Sequence, residues 1–345
     1  MIIFLVSLLV TFVMTLLVIP KSIVFLRNIS VVGRDIQKKG RPLVPEMGGV
    51  PVLIGFLAGA LLYTATNTFY IGNEAYISLL AAMLTVTLIT LIGMLDDLTA
   101  LLKRGSSRVD CADYKSVKRI GFKQHHKFLL PLPAAVPLMA VQSGVSLVYV
   151  PFLGPMDIGV LYPLFVIPLA VVGASNACNM LAGMNGLEAG LGAVLIGALG
   201  LYAYMQTGST IAAAIAFMFV AALVAFLLFN WYPAKLFAGD SLTYTIGAVA
   251  ATVAILGNIE KFALFCFIPW FVEFALKLRS GFKAESFGVL QKDGTLRAPG
   301  TKVLSLTHVV MRMGRFREWQ VSGILIAGEV VICVLGFALF LQGVV

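Results

Sequence analysis

AYISLLAAMLTVTLITLIGMLDDL, residues 75–98, decides the fold. From Ala75 to Leu95 the run is apolar over about the length that spans a hydrocarbon core. It ends on two adjacent carboxylates, Asp96 and Asp97. Such a pair is costly wherever it cannot reach water or a cation. The C-terminal end of a helix, with its negative partial charge, is the worse end for an anion. Placed there, the pair reads as a cation or proton site at a membrane face; the plain alternative is a solvated acidic step.

The rest of the chain agrees with a membrane reading. Of 345 residues 60% are hydrophobic and 12% charged, against roughly 25% charged in soluble domains. Ten apolar runs follow one another, at about 2–20, 48–66, 76–95, 128–146, 158–176, 187–206, 210–230, 241–258, 261–279 and 319–342. Eight to eleven spans fit the pattern, and ten segregate the charge most cleanly. The expected fold is therefore an all-α polytopic membrane protein, one integral membrane domain over residues 1–345. Met1–Pro20 lacks a basic n-region and a small-residue cleavage site, so it reads as a first span rather than a signal peptide.

The net charge of +9 resembles a nucleic-acid signal until the positions are mapped. All but one of the 25 Lys and Arg fall in Lys21–Arg41, Lys103–Lys127, Lys235 and Lys277–Arg317. Ten alternating spans put all four blocks on one side. The positive-inside rule makes that side cytoplasmic and both termini external, with anionic lipid and not nucleic acid as the partner. The four cysteines show no ligand spacing, so neither a disulfide framework nor a zinc site follows. No lipidation or retention signal is read at the C-terminus.

The external loops are short, apart from Val145–Val160. There SLVYVPFLGPMDIGV sets β-branched and aromatic residues around a Leu-Gly-Pro turn, which predicts a small hairpin. No internal repeat is visible, which weakens an inverted-repeat transporter. The cytoplasmic segments mix acidic and basic residues with Gly, Asn and Pro, more chemistry than connectors need.

Four of these segments carry candidates. GRDIQKKGRPLVPEMGG, Gly33–Gly49, holds Glu46 among basic residues, and its Gly-Gly allows close backbone approach. It matches no Walker A or GxGxxG cradle. FKQHHKFLL, Phe122–Leu130, puts Lys127 at the mouth of the fourth span, to meet a phosphate or to snorkel. His125 and His126 are adjacent and point apart on a helix, so they are not paired metal ligands.

SNACNMLAGMNGLEAG, Ser175–Gly190, spaces Asn176 and Asn179 three apart, on one face if the helix continues. Its plain reading is small-residue packing with interhelical Asn bonds, yet amide oxygens are suitable ligands for Mg²⁺. NWYPAKLFAGDSLT, Asn230–Thr243, places Asp240 where a span begins. It is there either as an N-cap or as a metal carboxylate beside a phosphate-favouring helix N-terminus. Phe237 could stack on a flat ring or pack. Oxygen ligands with room for water and substrate phosphates describe a Mg²⁺ site in phosphoryl chemistry.

In this order the motifs resemble the polyprenyl-phosphate N-acetylhexosamine-1-phosphate transferases: DD ending span three, HK before span four, NxxNxLAGxNGLEAG after span five, NWYPxxxFxGD before span eight. The second pair is most similar to the dolichyl-phosphate N-acetylglucosamine-1-phosphotransferase branch, as is the first loop, and the likeness covers roughly residues 1–280 and the last span. The resemblance implies a ten-helix fold and transfer of a sugar-1-phosphate, GlcNAc-1-phosphate above all, from a UDP-sugar to a polyprenyl phosphate with release of UMP. By position it implies Asn179 and Asp240 on Mg²⁺ (or Mn²⁺), Lys127 on phosphate, and Gly183, Asn185 and Phe237 around uridine. Glu46 lies in the matching loop, and Asp96 with Asp97 match the essential pair, as acceptor positioner or base.

One stretch departs. FKAESFGVLQKDGTL, from Phe282, keeps Lys283 as a basic residue, but Ala284 and Glu285 stand where the eukaryotic enzymes carry His and Arg that read the N-acetyl sugar. The compact loop suits a prokaryotic, archaeal-type enzyme of the cell membrane, with its active site cytoplasmic. The expected partners are a UDP-sugar, a polyprenyl phosphate and membrane lipids, with a homodimer left open. Two rivals stand beside this reading. One is the same chemistry on another UDP-sugar. The other is a proton- or sodium-coupled secondary transporter, favoured only by Glu329 in the middle of the last span.

Overall fold

A computed structural model of the chain describes residues 2–71, 76–106, 128–144, 146–150 and 154–341. Each of the ten apolar runs contains helix. In chain order the helices are α1 (Ile2–Asn28), α2 (Gly49–Thr66), α3 (Ile77–Ser106), α4 (Leu132–Ala140), α5 (Ile167–Met180) and α6 (Leu187–Tyr202). Then follow α7 (Thr210–Asn230), α8 (Gly239–Gly257), α9 (Glu260–Cys266), α10 (Ile268–Leu278), α11 (Leu306–Met313) and α12 (Glu318–Leu341). Single π-helical stretches, Asn67–Ile71, Tyr162–Val166 and Ala203–Thr207, extend α2 and α6 at their C-terminal ends and α5 at its N-terminal end. The protein is an all-α polytopic membrane protein.

Among the described residues eight helices are long and apolar enough to cross a membrane, fewer than the ten apolar runs. The difference has a local cause in both remaining runs. In the fourth, Pro131, Pro133 and Pro137 crowd a nine-residue helix, α4. Each proline lacks the N–H that would continue the ladder. In the ninth, the helix breaks at Phe267, just ahead of Pro269, into α9 and α10.

Helix α8 is the axis of the bundle: 83% of its apolar window is buried, against 17% for α12. It packs between α3 and α5, with α6 and α7 behind. Thr90 of α3 and Thr245 of α8 share a hydroxyl hydrogen bond at 2.8 Å across one of these seams. Without water to exclude between helices, such contacts and close packing replace the hydrophobic drive of a soluble core. Exposed Leu5, Leu9 and Leu17 of α1 and Val331, Val334 and Leu335 of α12 face outward, as lipid-facing positions should.

Three two-stranded ribbons complete the fold. The first, β1 (Val32–Arg34) with β2 (Leu43–Pro45), pairs Val32 with Pro45 and Arg34 with Leu43. The expected hairpin in Val145–Val160 is present as β3 (Leu147–Val150) and β4 (Gly154–Asp157), with Val150 opposite Gly154. It precedes the helix that starts at Tyr162, so it lies at the far end of that helix from Asn179. The third ribbon, β5 (Val289–Leu290) with β6 (Leu296–Arg297), lies between α10 and α11.

The Asp96–Asp97 pair does not sit at a helix end. Helix α3 runs on to Ser106, so the unfavourable C-terminal dipole is not what the pair meets. Glu329 is fully buried in α12 and accepts a hydrogen bond from the Cys333 thiol at 3.4 Å.

Candidate active site

Asp97 is 6% exposed and joins α3 to α8. Its Oδ1 accepts the Asp240 N–H at 2.8 Å and its Oδ2 accepts the Ser241 N–H at 3.1 Å. These are first-turn N–H groups of α8, which have no partner within their own helix. Ala238, at the cap position, supplies no side-chain bond. A carboxylate from another helix thus caps α8, at its positive dipole end. Gly239 makes this approach fit: its φ is +70°, and a Cβ there would overlap Asp97 Oδ2. Ala238, not Asp240, is therefore at the N-cap of α8, and the Asp240 carboxylate is half-buried.

Asn179 arrives from the last turn of α5. Thr243, one turn after Asp240, donates its hydroxyl to Asn179 Oδ1 at 3.2 Å. Tyr244 lies beside the same side chain and within electrostatic reach of Asp96, Asp97 and Asp240. Asn176, by contrast, donates to the Val172 and Phe128 carbonyls at 2.8 and 3.0 Å and serves packing. The structure thus brings Asp96, Asp97, Asn179 and Asp240 to one end of three adjoining helices.

The first loop closes over this end. The Phe237 N–H donates to the Pro45 carbonyl at 2.8 Å, and the Gly48 N–H returns a bond to the Phe237 carbonyl at 2.9 Å. This two-bond clamp sets Glu46 within electrostatic reach of Asp97 and leaves Phe237 half-buried. Deeper in the loop, Lys38 pairs with Asp35 and, at 3.0 Å, with Glu318 of α12. The same network takes up Asn185, whose amide donates to Asp35 at 3.1 Å and whose N–H donates to Glu318 at 2.8 Å. Asn185 is 4% exposed, so its side chain holds the loop from within.

Gly183 carries a φ of +114° and donates its N–H to Glu188 at 2.6 Å, while its carbonyl accepts from Gln37 at 3.0 Å. Gln37 also accepts from the Gly288 N–H at 2.8 Å, which ties the Gly183 turn to the segment before α11. Behind it, Glu273 of α10 accepts from Ser305 at 3.1 Å and from the Leu306 N–H at 2.7 Å, and pairs with Lys277 at 3.4 Å. Lys277 also donates to the Met180 carbonyl, one residue past Asn179. His308 of α11 is buried nearby, and burial holds its imidazole below the ordinary value of 6.5.

Lys283 is exposed in the turn after α10, and no described side-chain contact joins it to the Asn179–Asp240 cluster. Lys127, with His125 and His126, lies outside the described residues. Sequence reasoning missed Thr243, Gln37, Glu273 and His308. Only Thr243 carried a local signal, since it lies three residues after Asp240 and shares its helix face.

Comparison with known proteins shows the family. Residues 79–258, from α3 to α8, match the family described as glycosyl transferase family 4. A protein of Saccharolobus solfataricus, provisionally named a UDP-N-acetylglucosamine–dolichyl-phosphate N-acetylglucosaminephosphotransferase, is 38% identical over 89% of this chain and 88% of its own. A Dictyostelium discoideum protein named for the same activity is 24% identical over 94% of this chain and 85% of its own. A phospho-N-acetylmuramoyl-pentapeptide-transferase of Geobacillus kaustophilus is 27% identical, over 90% of each chain. The matched segment carries Asp96, Asp97, Asn179 and Asp240 together, and the chain belongs to glycosyl transferase family 4.

Proposed function

We propose that the protein transfers N-acetylglucosamine-1-phosphate from UDP-N-acetylglucosamine to dolichyl or another polyprenyl phosphate, releasing UMP. The observation that carries this reading is the cap that Asp97 places on α8. It frees Asp240 from capping and holds it on the same helix face as Thr243, which touches Asn179. The names of the relatives support the two substrates.

The donor set fits Mg²⁺. The Asp240 carboxylate and the Asn179 amide supply hard oxygen donors, and so small a set leaves positions for water and phosphate oxygens. No group of three or more His, Cys, Asp and Glu suited to a metal occurs among the described residues. Mn²⁺ accepts the same oxygen donors. When bound, the ion would offset the negative charge of the donor pyrophosphate.

In the proposed step an oxygen of the lipid phosphate attacks the donor β-phosphorus in line. The bond from that phosphorus to the bridging oxygen breaks, and UMP leaves with the electron pair. The acceptor is already anionic near neutral pH, so no strong base is needed. We assign Asp97 to positioning, because both its oxygens already accept N–H bonds. The Asp240 and Ser241 N–H groups are correspondingly not a phosphate cradle. Asp96 stays on the acceptor side, and Lys127 with the basic block before it would meet phosphate. Gly183 and Phe237 would frame the uridine, with Asn185 holding that wall from behind. Glu46 and Lys283 would border the donor. Charge segregation puts this end in the cytoplasm and both termini outside.

Purified protein with dolichyl phosphate, Mg²⁺ and a panel of UDP-sugars tests the reading. UMP release should be fastest with UDP-N-acetylglucosamine and should stop on chelation. Preference for another UDP-sugar would overturn the donor assignment, and release from none would overturn the transferase.

A further inference from the structure

Thr243 differs from four threonines of α3 and α8 that bond straight back along their own helix. A threonine inside a helix ordinarily bonds back to the carbonyl four residues earlier. Thr245 and Thr252 of α8 do so at 2.6 and 2.7 Å, and Thr87 and Thr90 of α3 at 2.7 Å each. Thr243 stands 3.4 Å from the Gly239 carbonyl and 3.3 Å from that of Asp240, and its shortest contact is Asn179 Oδ1 at 3.2 Å. Thr243 is 3% exposed, and its hydroxyl has one proton to give.

An asparagine amide that rotates presents a nitrogen donor where a divalent cation needs an oxygen. We infer that Thr243 is a positioning residue that fixes the Asn179 amide with its oxygen available to the divalent cation. The inference rests on the transferase reading, in which Asn179 and Asp240 hold that ion. Accepting the Thr243 proton takes one lone pair of the amide oxygen and leaves the second. The arrangement also couples the two donors. Thr243 and Asp240 lie one turn apart on α8, so the cap that sets Asp240 sets the hydroxyl that orients Asn179. Thr243 further borders a small cavity with Cys178, Glu188 and Trp270.

The test measures cation binding apart from turnover. Mn²⁺ is titrated by electron paramagnetic resonance into the full-length protein with saturating UMP, for wild type, Thr243→Val and Thr243→Ser. Valine keeps the shape and removes the hydroxyl, and Thr243→Ala serves as a second hydroxyl-free variant should valine not fold. The hydroxyl-free variant should bind Mn²⁺ about tenfold more weakly, the lower end for an outer-shell partner, with its melting temperature unchanged. Thr243→Ser should recover most of the affinity. Equal binding by the hydroxyl-free variant and wild type overturns the inference, and so does an equal loss in the serine variant. Wild type that binds no Mn²⁺ in the presence of UMP overturns the metal-site reading and this inference with it.

Discussion

Asp97 and Asp240 are both acidic and close together, yet they should fail in different ways when changed. In Asp97→Asn one of the two N–H groups of α8 meets an amide donor instead of an acceptor. Loss of a charge-assisted bond costs about 1.5–3 kcal/mol, so thermal stability and turnover should fall together, as read by melting and by UMP release. Asp240→Asn breaks no described cap, so its melting temperature should stay near wild type while Mg²⁺-dependent turnover falls by about a hundredfold or more. The reverse pattern would return Asp240 to the role of an ordinary cap. Sequence could not separate the two. Asp97 and Asp240 stand 143 residues apart, and no local pattern announces a cap supplied by another helix. Asn185 shows the same limit, since its partners Asp35 and Glu318 are 150 and 133 positions away.

Elements were more legible than contacts. Composition and run length located helix in all ten apolar runs, and β-branched and aromatic residues around Leu-Gly-Pro located the β3–β4 hairpin, because both signals are local. Proline spacing was also local, and it accounts for the short α4 and for the break between α9 and α10. The end of α3 was not readable, because helix continues past the apolar run to Ser106. The segment after α10 was read from Lys283, whereas the structure builds it around Glu273, Lys277 and His308. That segment predicts a pH effect. A histidine held neutral by burial binds fewer protons folded than unfolded, so its contribution is present above about 6.5 and is lost as pH falls below that. His308→Gln should therefore flatten the acid side of the stability profile below about pH 6.5, measured by melting in parallel with wild type. Identical acid limbs would show that His308 carries none of it.

At the scale of the whole molecule, charge segregation predicts a single orientation. The exposed Gln206 and Lys235 lie at opposite ends of α6 and α7. In a background without the four native cysteines, Gln206→Cys should react with an impermeant maleimide in intact cells, and Lys235→Cys only after lysis. The opposite labelling would turn the active site outward, away from cytoplasmic nucleotide sugars. The central claim, however, concerns which bond breaks. Mass spectrometry of both products from UDP-N-acetylglucosamine and dolichyl phosphate decides it. Attack at the β-phosphorus predicts UMP together with a lipid that has gained both the sugar and its phosphate. UDP together with a lipid that has gained the sugar alone would contradict the account.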